Sequence, residues 1–345
     1  MASAETDQLI RDPKFGVYDT PAEREFGFLL VPTFSMLGFV SAVEPLRVAN
    51  RLSGRALYAW HVISVAGERI AANNGMQQSA EFSITDAPGF ETVVVCGAHE
   101  PSSFQDARVC NWLRKLAAQG VRLGAIETGS HVLAQARLLD GYRCTIHWEN
   151  MPGFREAFPH IDASSELYEF DRNRFTCAGG TSALDMMLQI IEEQHGYDLA
   201  VACAENFIYN VIRKPTEAQR MTLRERTGIT NRNLLECLEL MEANLEQPLT
   251  PAELADAVGV SKRQLERLFQ RYMAATPARY YTELRLRQGR RLLEQTSMPI
   301  TDVALACGFP SPGYFSHRYR ALFGLSPREQ RATHRHRDNR GMPLR

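Results

Sequence analysis

The chain has 345 residues, for which two or three domains are expected. Its 44% hydrophobic and 23% charged content is ordinary for a soluble globular protein. The net charge of −1 hides an asymmetry: from Thr230 onward 18 Lys and Arg stand against 12 Asp and Glu, while the rest has 21 against 28. A basic C-terminal part beside an acidic N-terminal part suits a polyanion-binding module carried by a separate domain.

Other classes are excluded residue by residue. Cys96, Cys110, Cys144, Cys177, Cys203, Cys237 and Cys307 form no Cys-X-X-Cys pair, their number is odd, and most sit in apolar runs. They read as reduced core thiols of a cytoplasmic protein. No metal site and no cofactor motif is present. The first 25 residues carry acids and no apolar core, unlike a signal peptide. The uncharged stretch 26–43 is broken by Gly27, Pro32 and Gly38, so a strand, a turn and a buried helix explain it better than a membrane span.

Residues 1–24 are expected to be a mobile arm. Apolar strands are then expected at 26–31, 60–65, 92–96, 122–126 and 174–177. Helices are expected at 36–52, 104–119, 130–136, 182–195 and 199–212. Short, continuously apolar strands between helices predict an α/β fold, a mostly parallel sheet sandwiched by helices. On the last helix Ala200, Cys203, Phe207 and Val211 share one face, a candidate interface or ordinary core. This domain is read as 25–212. The polar, Arg-rich run 213–231 is read as a linker.

The segment Gly124-Ala-Ile-Glu127-Thr128-Gly129-Ser-His ends a strand and starts a helix. That is the geometry of a nucleophile elbow, which holds a side chain at the edge of the sheet where ligands of open α/β folds bind. With Leu138-Leu-Asp-Gly141 and Thr145-Ile-His147-Trp148 following, the order of elements resembles the flavodoxin-like DJ-1/PfpI fold, the class I glutamine amidotransferase type. Its hydrolytic members carry Cys at the elbow, where this chain has Glu127. A thiolate attacks carbonyls because it is soft and partly ionised, whereas a carboxylate is a poor acyl nucleophile. His147 then has no thiol to activate, and the pocket is expected to bind rather than react. An anion beside an aromatic wall suits a cationic ligand, including a quaternary ammonium. Glu127, Thr128, His147, Trp148, Phe34 and Glu44 are the candidate ligand residues. Core packing is the alternative for His147 and Trp148, and backbone N–H acceptance for Glu127.

The C-terminal part contains one pattern twice. Ala255 precedes Gly259 by four residues, as Ala304 precedes Gly308; Phe269 and Tyr319 follow, and Pro277 and Pro327 lie eight residues further on. Leu254, Ala255 and Val258 make the buried stripe of a short helix, Gly259 permits the turn, and Ser261 caps the next helix. Leu265, Leu268 and Phe269 point inward, leaving Arg263, Glu266, Arg267 and Arg271 outside. This is a helix-turn-helix, whose second helix fits the major groove. Two copies joined by a helix over 277–295 resemble the DNA-binding domain of the AraC/XylS family, whose second-unit signature is similar to Gly308-Phe309, Tyr314-Phe315-Ser316 and Phe323-Gly324-Leu325-Ser326-Pro327. Nineteen residues span roughly 28 Å, close to one DNA turn of about 34 Å. The domain is read as 232–332, with a basic disordered tail at 333–345.

In the first unit Arg263, Glu266 and Arg267 have the reach to read base edges. Ser316, His317 and Arg320 occupy the matching face of the second. Arg271, Arg318 and Arg328 suit phosphate contact, which positions without specifying. Arg285, Arg287, Arg290 and Arg291 on the connecting helix are a solvated face, a domain contact or a phosphate track.

The union of the two domains resembles the GlxA-like subgroup of AraC regulators, often linked with choline, betaine, carnitine or amino-acid catabolism. The resemblance implies a non-enzymatic transcriptional activator, dimeric, with promoter DNA, a small-molecule effector and RNA polymerase as partners. The rival reading is an amidase- or peptidase-like hydrolase with an appended helical domain. A further reading makes the first domain a dimerisation module only.

Overall fold

The computed structural model describes residues 12–18, 20–97 and 104–339, with side chains to 333. The chain divides after Gln219 into two compact units.

The first unit runs β1 (Arg24–Leu30), α1 (Met36–Ser53), β2 (Tyr58–Ser64), β3 (Ile70–Ala71), β4 (Gln77–Gln78), β5 (Phe82–Ser83), β6 (Thr92–Cys96) and α2 (Ala107–Ala118). It continues with β7 (Arg122–Ile126), α3 (Gly129–Gln135), β8 (Arg143–Thr145), α4 (Met151–Ala157), β9 (Asp162–Ser164), β10 (Tyr168–Asp171), β11 (Arg174–Cys177), α5 (Ser182–His195) and α6 (Tyr197–Asn206). Seven strands form one sheet in the order β10-β11-β7-β6-β1-β2-β5, parallel except for the β10–β11 edge pair. The expected mostly parallel sheet is therefore present.

Successive side chains of a strand face opposite ways, and both faces are buried here. Phe26, Phe28, Leu30, Val94, Cys96 and Ile126 enter one core with α1, α5 and α6. Leu29, Val93, Val95, Leu123 and Ala125 enter the other with α2, α3 and α4. This is why the strands read as unbroken apolar runs. All seven cysteines are buried free thiols.

Some expectations change. The expected helix 199–212 stops at Asn206, because Ile208 takes a left-handed φ of 56° while its N–H and that of Tyr209 bond back to Glu205 and Ala204. Ala200 and Cys203 lie in the core, so the candidate interface face is mostly packing; only Val211 on it is exposed. Part of the expected arm, Pro13–Phe15, is a 3-10 turn anchored by Arg47 Nη1 donating to Phe15 O at 2.7 Å; residues 1–11 lie outside the described ones.

The second unit is helical: α7 (Leu223–Thr227), α8 (Arg232–Ala243), α9 (Pro251–Ala257), α10 (Lys262–Met273), α11 (Pro277–Gln295), α12 (Ile300–Ala306), α13 (Pro312–Phe323) and α14 (Pro327–Asn339). The two helix-turn-helix pairs are α9–α10 and α12–α13. Each pair has its own core, with Leu254, Leu265 and Phe269 in one and Val303, Phe315 and Tyr319 in the other. Helix α11 belongs to both, giving Tyr281 to the first and Leu286, Leu292 and Leu293 to the second.

The run 213–231 is no free linker. Arg213 and Gln219 are bonded into the first unit, and Leu223 and Ile229 are buried in the core of the second. The basic tail is helical through Asn339, and residues 340–345 lie outside the described ones.

The two turn glycines differ in constraint. Both have positive φ, 67° at Gly259 and 69° at Gly308. A Cβ at Gly259 would meet nothing, whereas at Gly308 it would lie 2.6 Å from Glu246 O and 2.7 Å from Leu245 O. Gly259→Ala is expected to cost about 1–2 kcal/mol from backbone strain. Gly308→Ala should cost roughly 2 kcal/mol more from the clash. Urea unfolding of the two variants checks the order.

Candidate functional site

Glu127 follows β7 with a left-handed φ of 59°. For a residue with a Cβ this costs about 1–3 kcal/mol and persists only where the surroundings enforce it. Glycines let them do so. A Cβ at Gly97 would sit 2.0 Å from the Gly129 nitrogen, and one at Gly129 would sit 2.1 Å from Val95 O. Helix α3 can thus start directly against the end of β6. A Cβ at Gly179 would sit 2.2 Å from the Glu127 Cδ, so the Glu127 side chain lies across bare backbone. Its Oε1 accepts the Gly180 N–H at 3.2 Å, and the residue is half-buried.

A second strained residue shares this edge of the sheet. Thr33, after β1, has φ 62° and is exposed. A β-branched residue in that region is a genuine outlier. The ends of β1, β6, β7 and β11 meet here as the carboxyl ends of parallel neighbours, the place where α/β sheets bind ligands.

The expected ligand residues divide. Thr128 is 2% exposed at the N-cap position of α3, without a side-chain cap bond. The segment carrying His147 and Trp148 is tied to the elbow: Ser130 Oγ donates to Thr145 O at 2.7 Å, and Thr145 N donates to Thr176 Oγ1 at 2.8 Å. His147 and Trp148 are half-exposed, their rings 5.6 Å apart, and neither belongs to a core cluster. His147 Nδ1 accepts the Glu149 N–H at 3.4 Å.

Phe34 and Glu44 are corrections. Phe34 is fully buried, edge-on to Phe39 at 5.8 Å, and serves the core. Glu44 lies about two turns along α1 from the sheet edge, paired to Arg47 at 2.7 Å. The sequence marks Gly179-Gly180 as a sheet-to-helix junction but carries no sign that these glycines seat Glu127, or that the hydroxyl of Ser130 and the backbone of Thr145 tie the His147 segment to the elbow.

His131, on the first turn of α3, is 7% exposed against the rings of Phe154 and Phe158. Its Nδ1 has no hydrogen-bond partner, and burial pushes its pKa down to about 4. Burial pushes the Cys96 thiol well up and that of Cys177 to about 12, so neither supplies a ready thiolate.

In the second unit α10 is capped by Ser261, with Gln264 closing the capping box. Leu265 and Phe269 are buried, leaving Arg263, Glu266, Arg267 and Arg271 exposed as expected. On α13, His317 and Arg320 are exposed, while Ser316 and Arg318 are half-buried. Arg328 is exposed at the start of α14. Arg285 is a structural tie: its Nη1 donates to Gly308 O at 2.8 Å and its guanidinium stacks 4.7 Å from the Phe309 ring. Arg290 pairs with Glu294 at 2.8 Å and Arg287 with Glu283 at 3.9 Å.

A flavodoxin-like sheet with a glutamate at its elbow, joined to a duplicated helix-turn-helix, defines a DNA-binding transcriptional regulator. The DJ-1/PfpI family model matches residues 28–193, and a helix-turn-helix domain model matches 254–333. The regulator GbdR of Pseudomonas aeruginosa is 47% identical over 308 residues, which cover 89% of this chain and 84% of its own. CdhR of the same species is 46% identical over 310 residues, 90% of this chain and 92% of its own. An AraC family transcriptional regulator from Pseudomonas putida matches in structure with a TM-score of 0.50 at 28% identity, over 54% of this chain and 100% of that one. The chain belongs to the AraC-type regulators that carry an N-terminal DJ-1/PfpI domain, and it is a regulator rather than an enzyme. Among the described residues no helix is long and apolar enough to cross a membrane.

The His131 shift gives a pH dependence. Its folded pKa is depressed from 6.5 to about 4, so its contribution is intact above pH 6.5 and is lost as pH falls toward 4. His131→Leu should lose less melting temperature than wild type between about pH 7.5 and about pH 5; thermal melts at the two pH values check this.

Proposed function

We propose that this regulator is a transcriptional activator whose α/β unit binds a small cationic metabolite, with a quaternary ammonium as the leading class. The single observation behind this is Glu127, an anion held in strained backbone at the sheet edge and half-exposed to it. A carboxylate there attracts a cation, and Trp148 and His147 on the adjoining segment supply a ring face. The signalling unit extends to Gln219 and the DNA-binding unit begins at Arg220. The protein acts as a homodimer in the cytoplasm, and its DNA-bound form recruits RNA polymerase.

On the DNA side, α10 carries more of the sequence discrimination. Arg263, Glu266 and Arg267 lie on its exposed face, long enough to pair with base edges. Helix α13 presents Ser316, His317 and Arg320, with fewer long donors, and contributes more backbone contact. Arg271, Arg318 and Arg328 contact phosphates.

Two measurements test the reading. Calorimetric titration of the full chain with choline, betaine and carnitine should find a ligand, and Glu127→Gln should weaken it about tenfold, roughly 1.4 kcal/mol. Undiminished binding by that variant would sink the counter-ion role. If no such cation binds or raises the melting temperature, the unit serves dimerisation instead. Mobility shift with operator DNA should show Arg267→Ala losing about 1–3 kcal/mol and relaxing preference at one base pair. Arg271→Ala should weaken all sequences alike.

A further inference from the structure

Residues 213–219 are bonded to the α/β unit at both ends. At the first end, Asp185 is fully buried on the opening turn of α5. It accepts the Arg213 N–H at 2.8 Å, Arg213 Nη2 at 2.7 Å and Arg213 Nε at 3.0 Å. Tyr209 Oη adds a bond at 2.9 Å. Arg213 Nη2 also donates to Thr181 Oγ1 at 2.7 Å, and Tyr168 Oη donates to Arg213 O at 3.1 Å. At the other end, Gln219 Nε2 donates to Glu166 O at 2.8 Å, Thr145 Oγ1 at 3.0 Å and Ile146 O at 3.1 Å. Between them Leu167 N donates to Pro215 O at 2.9 Å.

Both anchors lead back to the elbow within a few residues. Glu127 holds Gly180, whose neighbour Thr181 holds Arg213. Ser130, three residues past Glu127, holds Thr145 O, and the Thr145 hydroxyl holds Gln219. The next residue, Arg220, opens the DNA-binding unit.

We propose that residues 213–219 are a strap that transmits the state of the Glu127 elbow to the DNA-binding unit, with Arg213 as its fixed end and Gln219 as its releasable end. The inference rests on the reading of the elbow as the ligand site. Its polarity follows from how well each end is satisfied. The Asp185 carboxylate is fully ligated. Gln219 keeps a buried Oε1 with no hydrogen-bond partner, which offsets much of the gain from its amide bonds. A cavity of about 580 Å³ borders the Arg213 end alone, lined by Tyr209, Arg213 and Lys214 with Tyr168, Tyr197 and Glu205. Upstream, Ile208 is 85% exposed in its left-handed conformation, a strained position of the kind found at switch segments. A ligand that draws the Glu127 carboxylate from the Gly180 N–H loosens the glycine junction and shifts the strap toward release. Ligand affinity and strap docking are then reciprocally linked.

Hydrogen–deuterium exchange on the full chain tests this without a ligand. Glu127→Gln is expected to raise exchange of the 213–219 amides several-fold. Gln219→Ala, at a half-exposed position, is expected to raise exchange at 127–131. Melting temperatures confirm that each variant is folded. Changes confined to the mutated segment in both variants overturn the strap. The choline titration separates the two readings. Choline binding that leaves exchange of 213–219 unaltered overturns the strap and spares the ligand site. A strap response to Glu127→Gln without choline binding overturns the ligand class and spares the strap.

Discussion

A left-handed peptide at Glu127 is the constraint on which the α/β unit turns. The chain can reverse from β7 into α3 in so few residues only if that residue accepts a positive φ. The neighbours must then give way, and they do so by lacking side chains at Gly97, Gly129 and Gly179. The strain is borne because two hydrophobic cores clamp the sheet on which the elbow sits. In a hydrolase of this fold the same device would present a thiol. Here it presents a carboxylate, which is a poor acyl nucleophile.

The DNA-binding unit solves a different problem. Two small cores, each too small to stand far from marginal stability, are joined by one nineteen-residue helix that contributes to both. Orientation between the halves then depends on close contacts rather than on apolar area. Gly308 lets the second turn touch the backbone at Leu245 and Glu246, and Arg285 bonds to the carbonyl of the same glycine. Tyr281 Oη donates to Asn244 O near the same loop. An arginine that the sequence leaves open as a solvated face, a domain contact or a phosphate track thus serves the fold.

Legibility in the sequence followed the range of the interaction. The central strands and α1, α5, α9, α10 and α11 were readable because burial leaves a period, a cap or a glycine in consecutive residues. The short β8, β9 and β10 carry no run long enough to stand out. Glu127 was readable because strand, elbow and helix are contiguous. Phe34 and Glu44 were misplaced because chain proximity to the first strand says nothing about which way a side chain turns; the core took one and Arg47 the other. The polar run 213–231 read as a linker since its partners, Asp185 and Gln219's carbonyl acceptors, lie tens of residues away.

By itself, the amino-acid sequence determined the two architectures, the duplicated reader with its outward arginines, and the carboxylate where a thiol would otherwise act. Those features are local, written in spacing and side-chain type over a few turns. Only the tertiary structure decided that Glu127 rests on Gly179 and Gly180, that His131 is sealed among phenylalanines, and that Arg213 and Gln219 bind residues 213–219 to the α/β unit. Such contacts join residues distant in the chain, and their energies depend on burial and on partners that no single stretch contains.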